Sequence, residues 1–221
     1  MQIEHCEFPE DVLYDLENNV WIRLQGEKRV QLGITSVHAA LAGKLTQVKF
    51  KPVGAVLQRG QAVATIESVK YFGAVRTPLG GTLIEANQKL DSNPKLANDY
   101  PYNSGWFVVI EPTQLTSEED LLLPSRSAEE RIRSQIRELR VHCFKAFPDH
   151  EMWEIGVECA AVLVRLNDLI GQSPQNEVVH VVSDDPTADI EMARWSEETG
   201  QQLLESRREG NLMHFIVRKV K

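Results

Sequence analysis

Two residues in this sequence have the type and setting for covalent chemistry, Lys70 and Cys159. Lys70 lies in the stretch VATIESVKYFGAV, where two short apolar runs should reverse as a hairpin. The reversal contains no Gly, Asn or Pro, although two-residue hairpin turns favour residues with positive φ. With Val69, Tyr71 and Phe72 beside it, the tip is interpreted as a site that presents Lys70. An exposed lysine can accept an acyl group, which removes its charge; the competing interpretation is a solvated turn lysine.

A weak internal repeat supports the special position of Lys70. The segments PVGAVLQRGQAV (52–63) and PLGGTLIEANQK (78–89) share Pro, Gly and Leu at matching positions, and the midpoint between the copies falls at residues 70 and 71. Two similar halves joined by a hairpin would place Lys70 at the joint by pseudo-twofold symmetry. Chance similarity between two turn units explains the pattern equally well.

Cys159 follows the strand-like run WEIGVE and opens the apolar-periodic run CAAVLVRLNDLI. The N-terminus of a helix favours a thiolate through its partial positive charge and its unpaired N–H groups. Glu158 opposes that effect, and a cysteine in this setting is more often a small buried side chain. An active sulfur and a packed one stay equally open.

The elements around Lys70 are predicted to be mostly β. In residues 1–112, short apolar runs alternate with Gly, Pro and Asn signals, as in a sandwich or a small barrel. The run TSVHAALAGKL is the helical exception, with Thr35 or Ser36 as its cap.

Residues 113–150 are predicted to be a linker followed by a connecting helix. A capping box between Ser127 and Glu130 would begin this helix, and Pro148 would end it. Its apolar face would consist of Ile132, Ile136, Leu139 and Cys143.

Residues 151–221 change pattern again, to the order β-α-β-α-β-β. That order predicts a two-layer α/β sandwich with two helices on one face of a sheet. Asp184 and Asp185, before Pro186, are expected to cap a helix, and an acid/base pair is the minor alternative. The histidines show no metal-ligand spacing, and His180 and His214 are interpreted as structural. The whole chain is therefore predicted to be an α+β protein of two domains.

Composition excludes several classes of function. The 221 residues carry a net charge of −8, most of it after residue 112, so a nucleic-acid partner is not expected. No apolar run approaches the length that spans a bilayer. The three cysteines are too few and scattered to predict a disulfide framework. The acidic N-terminus lacks an apolar signal core, so we expect a cytoplasmic protein.

The first half resembles the H protein of the glycine cleavage system. The resemblance rests on QLGITSVHAALAG, VGAVLQRGQAVATIESVK and GTLIEANQKLDSNPKLANDYPYNSGW. It implies an all-β lipoyl domain of the barrel-sandwich hybrid type over residues 1–112. ESVK resembles the family's lipoylation motif, so Lys70 would carry lipoate in amide linkage. The flanking residues of this site are Glu67, Ser68, Val69 and Tyr71.

This resemblance also implies partners and a role. Lipoate ligase or lipoyl transferase would attach the group. Glycine decarboxylase, aminomethyltransferase and dihydrolipoamide dehydrogenase would use it, and the chain would be a carrier without catalysis of its own. The opening CEFPEDVLYDLENNVWIR and the tip ESVKYFGAV look closer to the H-protein-like lipoate-binding proteins of sulfur oxidation, whose partner is a heterodisulfide-reductase-like complex.

The end of the chain, residues 152–221, resembles the TusA-like sulfur carriers. GVEC resembles the family's Gly–Leu–x–Cys signature, and HFIVRK its final strand. In that family the cysteine carries a persulfide, which would be the role of Cys159. The chain departs from the family, because CAAV replaces Cys–Pro–x–Pro and Gln201 replaces a common histidine.

Our leading hypothesis from sequence is a lipoyl carrier in sulfur metabolism with a fused sulfur-carrier-like module. One alternative is aminomethyl carriage in glycine cleavage. An alternative of another class is a scaffold that binds partners and is not lipoylated.

Overall fold

The computed structural model describes residues 1–26 and 28–221, which form two compact units, Met1–Cys143 and Phe144–Lys221. We call them unit 1 and unit 2. Unit 1 is mostly β and unit 2 combines helices with a sheet, so a mostly β N-terminal region followed by an α/β region is confirmed. In the part of the chain that the structure describes, no helix is long and apolar enough to cross a membrane.

The strands of unit 1 are β1 Gln2–Ile3, β2 Cys6–Glu7, β3 Leu13–Asp15, β4 Val20–Leu24, β5 Val30–Ile34, β6 Leu45–Phe50, β7 Val56–Leu57, β8 Ala62–Ser68, β9 Phe72–Arg76, β10 Gly81–Ala86, β11 Val108–Pro112 and β12 Leu123–Pro124. Its helices are α1 Ser36–Ala42, α2 Lys89–Ser92, α3 Leu96–Asp99, α4 Leu115–Glu119 and α5 Ser125–Glu138.

A large sheet and a small one carry the core of unit 1. The large sheet has the order β12-β3-β4-β5-β11-β10-β7, and the small one has the order β6-β8-β9. One apolar cluster joins their inward faces and includes Leu32, Ile66, Leu83 and Phe107, all fully buried. Burying each such side chain stabilises the fold by about 1.5–3 kcal/mol.

The two copies of the repeat lie side by side. Strand β7 from the first copy pairs antiparallel with β10 from the second, so that Leu57 lies opposite Gly81 and Val56 opposite Thr82. The segment between the copies forms the β8–β9 hairpin, with Lys70 at its tip. The repeat midpoint therefore coincides with a hairpin tip.

Helix α1 begins as the sequence predicts. The side chain of Thr35, the residue before the helix, accepts a hydrogen bond from the His38 N–H. The helix ends at Gly43, whose φ of +72° lies in the left-handed region that glycine adopts without a Cβ penalty.

Helix α5 differs from the expected connecting helix. It starts at Ser125, directly after the extended Pro124, and has no side-chain cap, so the capping box expected at Ser127 and Glu130 is wrong. It ends ten residues before Pro148, at Glu138, and Arg140 then adopts a positive φ of 50°. In the segment 113–150, predicted to be a linker and a connecting helix, α5 packs within unit 1. Its apolar face (Ala128, Ile132, Ile136) joins a second cluster with Ile3, Phe8 and Trp21.

Cys6 and Cys143 form a disulfide across a sequence separation of 137 residues. This corrects the expectation that no disulfide would form and that Cys143 would be a packing residue. The physical reason is that α5 runs back past the N-terminal hairpin of β1 and β2, where Cys6 is fully buried.

Unit 2 consists of β13 His150–Glu154, α6 Cys159–Gln172, β14 Val178–Ser183, α7 Ala188–Thr199, β15 Gln202–Glu209 and β16 Leu212–Arg218. Its sheet has the order β13-β14-β16-β15, in which β13 and β14 are parallel and the other pairs antiparallel. Apolar residues of α6 and α7 pack against one face of this sheet, on Val179, Val181 and Phe215.

Candidate functional site

The tip of the β8–β9 hairpin is a turn that contains Lys70. Glu67 lies opposite Phe72 in the ladder, and the Ser68 N–H donates to the Tyr71 carbonyl at 2.8 Å. Val69 and Lys70 are thus the two central residues of the turn, and neither has a positive φ. The tip therefore reverses without the left-handed residues that two-residue hairpins favour.

Ser68 replaces that turn chemistry with side-chain hydrogen bonds. Its hydroxyl donates to the Ala42 carbonyl at 2.6 Å and accepts from the Lys70 N–H at 3.2 Å. Short hydroxyl side chains stabilise turns by bonding backbone groups two residues away. Because Ala42 is the last residue of α1, the same hydroxyl fastens the tip to that helix.

The side chain of Lys70 extends over Gly43. An ideal Cβ built on Gly43 would lie 2.6 Å from Lys70 Cε and 3.5 Å from Cδ. The missing Cβ therefore leaves the space that the methylene chain of Lys70 occupies. Lys70 as a whole is still exposed, since long cationic side chains can lay their apolar stem on the protein and keep the head in water.

The side chain of Asn98 hydrogen-bonds the backbone around Gly43. This residue was not identified from the sequence. Its side chain is 5% exposed. The amide donates to the carbonyls of Gly43 and Ala39 at 2.9 and 3.2 Å, and its oxygen accepts from the Leu45 N–H at 2.9 Å. The only signal in the sequence was a polar residue directly after the apolar pair Leu96 and Ala97.

Tyr71 makes a third connection between the tip and α1. Its hydroxyl is 3.3 Å from His38 Nε2, and its ring lies across Gly73. His38 is 5% exposed, and burial lowers its pKa to about 4. At neutral pH the imidazole of His38 beneath the tip is therefore uncharged.

The outer surface of the tip is apolar and acidic. Val69 is 99% exposed and Phe72 is 74% exposed, with Glu67 exposed beside Phe72. Of the site residues predicted from sequence, the structure brings Glu67, Ser68, Val69, Lys70 and Tyr71 together at this tip. Cys159 belongs to the other unit.

Cys159 is the first residue of α6, but its environment opposes a thiolate. It is 4% exposed, and burial raises the pKa of its thiol to about 11, with further increases from the charges of Asp185 and Glu191. The Cys159 N–H donates to Asp185 Oδ2 at 2.9 Å, so a carboxylate of the chain already occupies this helix start.

Asp185 accepts a hydrogen bond at the start of a helix, but that helix is α6 rather than the α7 that follows it in sequence. Asp184 accepts from the Gly156 N–H, and Asp185 accepts from Cys159 at the start of α6 and from Thr187. No side-chain hydrogen bond caps α7. The loop after β14 folds back toward the loop after β13 because the two strands are parallel and end at the same edge.

His180 and His214 lie together on the sheet of unit 2. His180 Nε2 is 3.0 Å from His214 Nδ1, and the ring of Phe144 lies 4.5 Å from that of His180. Among the described residues no group of three or more metal-ligating side chains could hold an ion.

Comparison with known proteins assigns the class. The family model described as "Glycine cleavage H-protein" matches residues 12–135, a range that includes the hairpin and most of α5. The chain therefore belongs to the glycine cleavage H-protein family. Members of this family are lipoyl carriers rather than enzymes and bear a covalently attached lipoate on a lysine. The family's partners include glycine decarboxylase, aminomethyltransferase, dihydrolipoamide dehydrogenase and lipoate ligase.

Individual relatives match about two thirds of the chain or less. Glycine cleavage system H protein 3 of Aquifex aeolicus is 36% identical over 65% of this chain and 91% of its own length. H protein 5 of the same organism is 36% identical over 64% of this chain and 98% of its own length. A solved H protein from Mycobacterium marinum is 29% identical and has a TM-score of 0.45, covering 48% of this chain and 87% of its own.

Proposed function

We propose that this chain is a lipoyl carrier whose lipoyl group is attached through an amide bond to Nζ of Lys70. The observation that supports this most directly is the exposure of Lys70 at a two-residue tip inside the family-matched range. A primary amine in that position fits amide attachment, because the hairpin can enter a ligase without unfolding the core.

The residues around Lys70 present the arm and perform no reaction. Ser68, Gly43 and the His38–Tyr71 pair hold the tip against α1. Lipoate supplies a dithiolane that accepts electrons and a transferred group at the end of a long flexible arm. Tethering of the arm to a compact domain raises its effective concentration near each partner.

For the cargo we propose the aminomethyl group of glycine cleavage. The relatives support it, since the chain covers 86% or more of three glycine cleavage system H proteins of Aquifex aeolicus. The partners would then be lipoate ligase or lipoyl transferase for attachment, and glycine decarboxylase, aminomethyltransferase and dihydrolipoamide dehydrogenase for turnover.

Sulfur carriage is the second candidate, and one observation favours it. Residues 136–221 lie beyond the family match and include a separate α/β unit with a cysteine at the start of a helix. A persulfide on Cys159 and a heterodisulfide-reductase-like partner would fit this addition. The burial and raised pKa of Cys159 support docking over sulfur transfer as the role of unit 2.

Intact-mass measurement after co-expression with lipoate ligase tests attachment. We expect one lipoyl adduct on the wild-type chain and none on Lys70→Arg. Lys49→Arg is the matched control, because Lys49 is an exposed lysine of the same small sheet, and it should keep the adduct. A wild-type chain without any adduct would leave the interaction scaffold as the remaining hypothesis.

Two reconstitutions separate the cargoes. With glycine decarboxylase and labelled glycine, the lipoylated chain should acquire an aminomethyl group. With thiosulfate and a rhodanese, a gain of one sulfur atom on Cys159 would support the sulfur role instead.

The cytoplasmic location stays a prediction, and the Cys6–Cys143 disulfide bears on it, because disulfides are rare in reducing compartments.

A further inference from the structure

The contact between Lys70 and Gly43 indicates that the lysine side chain is packed as well as exposed. Turn lysines without packing sample many rotamers, whereas the stem of Lys70 lies against the backbone at the end of α1. Gly43 terminates the helix with a positive φ of 72°, and its N–H donates to the Ala39 carbonyl at 3.1 Å. Its position is therefore fixed by the helix rather than by the hairpin.

Hydrogen bonds also fix the backbone on both sides of this contact. The Gly43 carbonyl accepts from Asn98, whose side chain binds Ala39 and Leu45 as well. On the hairpin side, the Ser68 hydroxyl connects the Lys70 N–H to the Ala42 carbonyl. Gly43 is thus hydrogen-bonded to α1 directly, and the Lys70 backbone is connected to α1 through the Ser68 hydroxyl.

We propose that Gly43 is a positioning residue for acylation of Lys70: the absence of its Cβ lets the lysine stem rest on the end of α1, which pre-orients Nζ for the acyl-transferring enzyme. The inference rests on the proposed function for the identity of the acyl group. Ordering a rotamer-rich side chain before binding removes a cost that would otherwise reduce the rate about two- to tenfold.

Gly43→Ala tests this contact, because the three atoms nearest to the added Cβ all belong to the flexible side chain of Lys70. The side chain can move away, so the change in stability should come from the positive φ alone. Gly26 has nearly the same φ, +70°, and nothing within 4 Å of an added Cβ. Gly26→Ala therefore also places an alanine at a positive φ, without touching the lysine.

The experiment compares the wild-type chain, Gly43→Ala and Gly26→Ala as substrates of lipoate ligase. We expect both variants to lose stability in thermal unfolding, while kcat/KM for lipoylation falls about two- to tenfold in Gly43→Ala only. Equal kcat/KM values for the two variants would overturn the inference. A wild-type chain that gains no adduct would overturn the proposed function instead.

An NMR measurement tests the contact without any enzyme. The unmodified wild-type chain should show a nuclear Overhauser effect between the Hα protons of Gly43 and the Hε protons of Lys70, and Gly26→Ala should retain it. Its absence from the wild-type spectrum would overturn the inference whether or not the chain is lipoylated.

Discussion

The tip around Lys70 and the start of α6 around Cys159 each bring a nucleophilic side chain to the end of an element, with opposite results. Val69, beside the lysine, is 99% exposed, whereas Cys159 is 4% exposed. A hairpin tip projects beyond the sheet that supports it, while a helix that packs on a sheet turns its first apolar-facing residue into the core. The kind of element therefore decides whether the group is displayed or covered.

The charges near the two groups differ as well. The uncharged imidazole of His38, 3.3 Å from the Tyr71 hydroxyl, lies beneath the tip. The thiol of Cys159 has two acidic neighbours, Asp185 and Glu191, which raise its pKa further. The environment of Lys70 is compatible with modification, whereas that of Cys159 disfavours the thiolate that a sulfur nucleophile needs.

The largest effect on stability should come from protonation of His38, beneath the tip, as the pH is lowered. Because burial holds the pKa of His38 at about 4, the unfolded chain, with a pKa near 6.5, binds more protons between these values. The free energy of unfolding should then fall by about 3 kcal/mol as the pH drops from 6.5 to 4. Urea unfolding across this range measures it.

The substitution His38→Gln should flatten that pH dependence, and His5→Gln, at an exposed position, should leave it unchanged. A slope that persists in His38→Gln would show that other groups cause it.

Alkylation of Cys159 should be the next largest effect. At pH 8 and without reductant, Cys6 and Cys143 are held in their disulfide, so iodoacetamide reports only on Cys159. With its pKa raised from 9.0 to about 11, the native thiol should react about a hundredfold more slowly than in the urea-unfolded chain. Similar rates in both states would remove the contrast between the two regions.

A smaller effect is expected for Ser68→Ala. Loss of the hydrogen bonds to Ala42 and Lys70 should lower the free energy of unfolding by about 1 kcal/mol and accelerate hydrogen exchange at the Lys70 amide. Ser92→Ala, which removes an exposed hydroxyl bonded to Lys89, is the control and should change neither. Unchanged exchange at Lys70 would mean that the tip keeps its form without Ser68.

The smallest effect is expected for Asp185→Asn. The asparagine oxygen can still accept from the Cys159 N–H, but the charge that raises the thiol's pKa is gone. The alkylation rate of Cys159 at pH 8 should rise by less than about tenfold. Asp189→Asn, an exposed position in the first turn of α7, should have no effect. No change in Asp185→Asn would assign the slow reaction to burial alone.

Local patterns predicted the parts of the site that lie close together in sequence. The apolar runs on each side of Lys70 and the repeat midpoint located the hairpin tip, and the periodicity after Cys159 located α6. Thr35 was one of two predicted caps of α1, and it makes the capping bond. In each case the signal and its structural cause lie within a few residues.

Long-range contacts could not be predicted in this way. Asn98 reaches Gly43 across 55 residues, and Cys6 reaches Cys143 across 137. Nothing in the spacing of one sequence specifies which distant segments meet. The misplaced start of α5 has a local cause, because the extended Pro124 starts the helix two residues before the capping-box pattern.

The disulfide gives unit 1 the covalent topology of a ring. A single proteolytic cut at the exposed tip, between Val69 and Lys70, would leave both pieces joined through Cys6 and Cys143. They would separate on a gel only after reduction. Tension applied between the N-terminus and unit 2 would likewise pass through the sulfur–sulfur bond, so the β core that supports the hairpin would carry none of it.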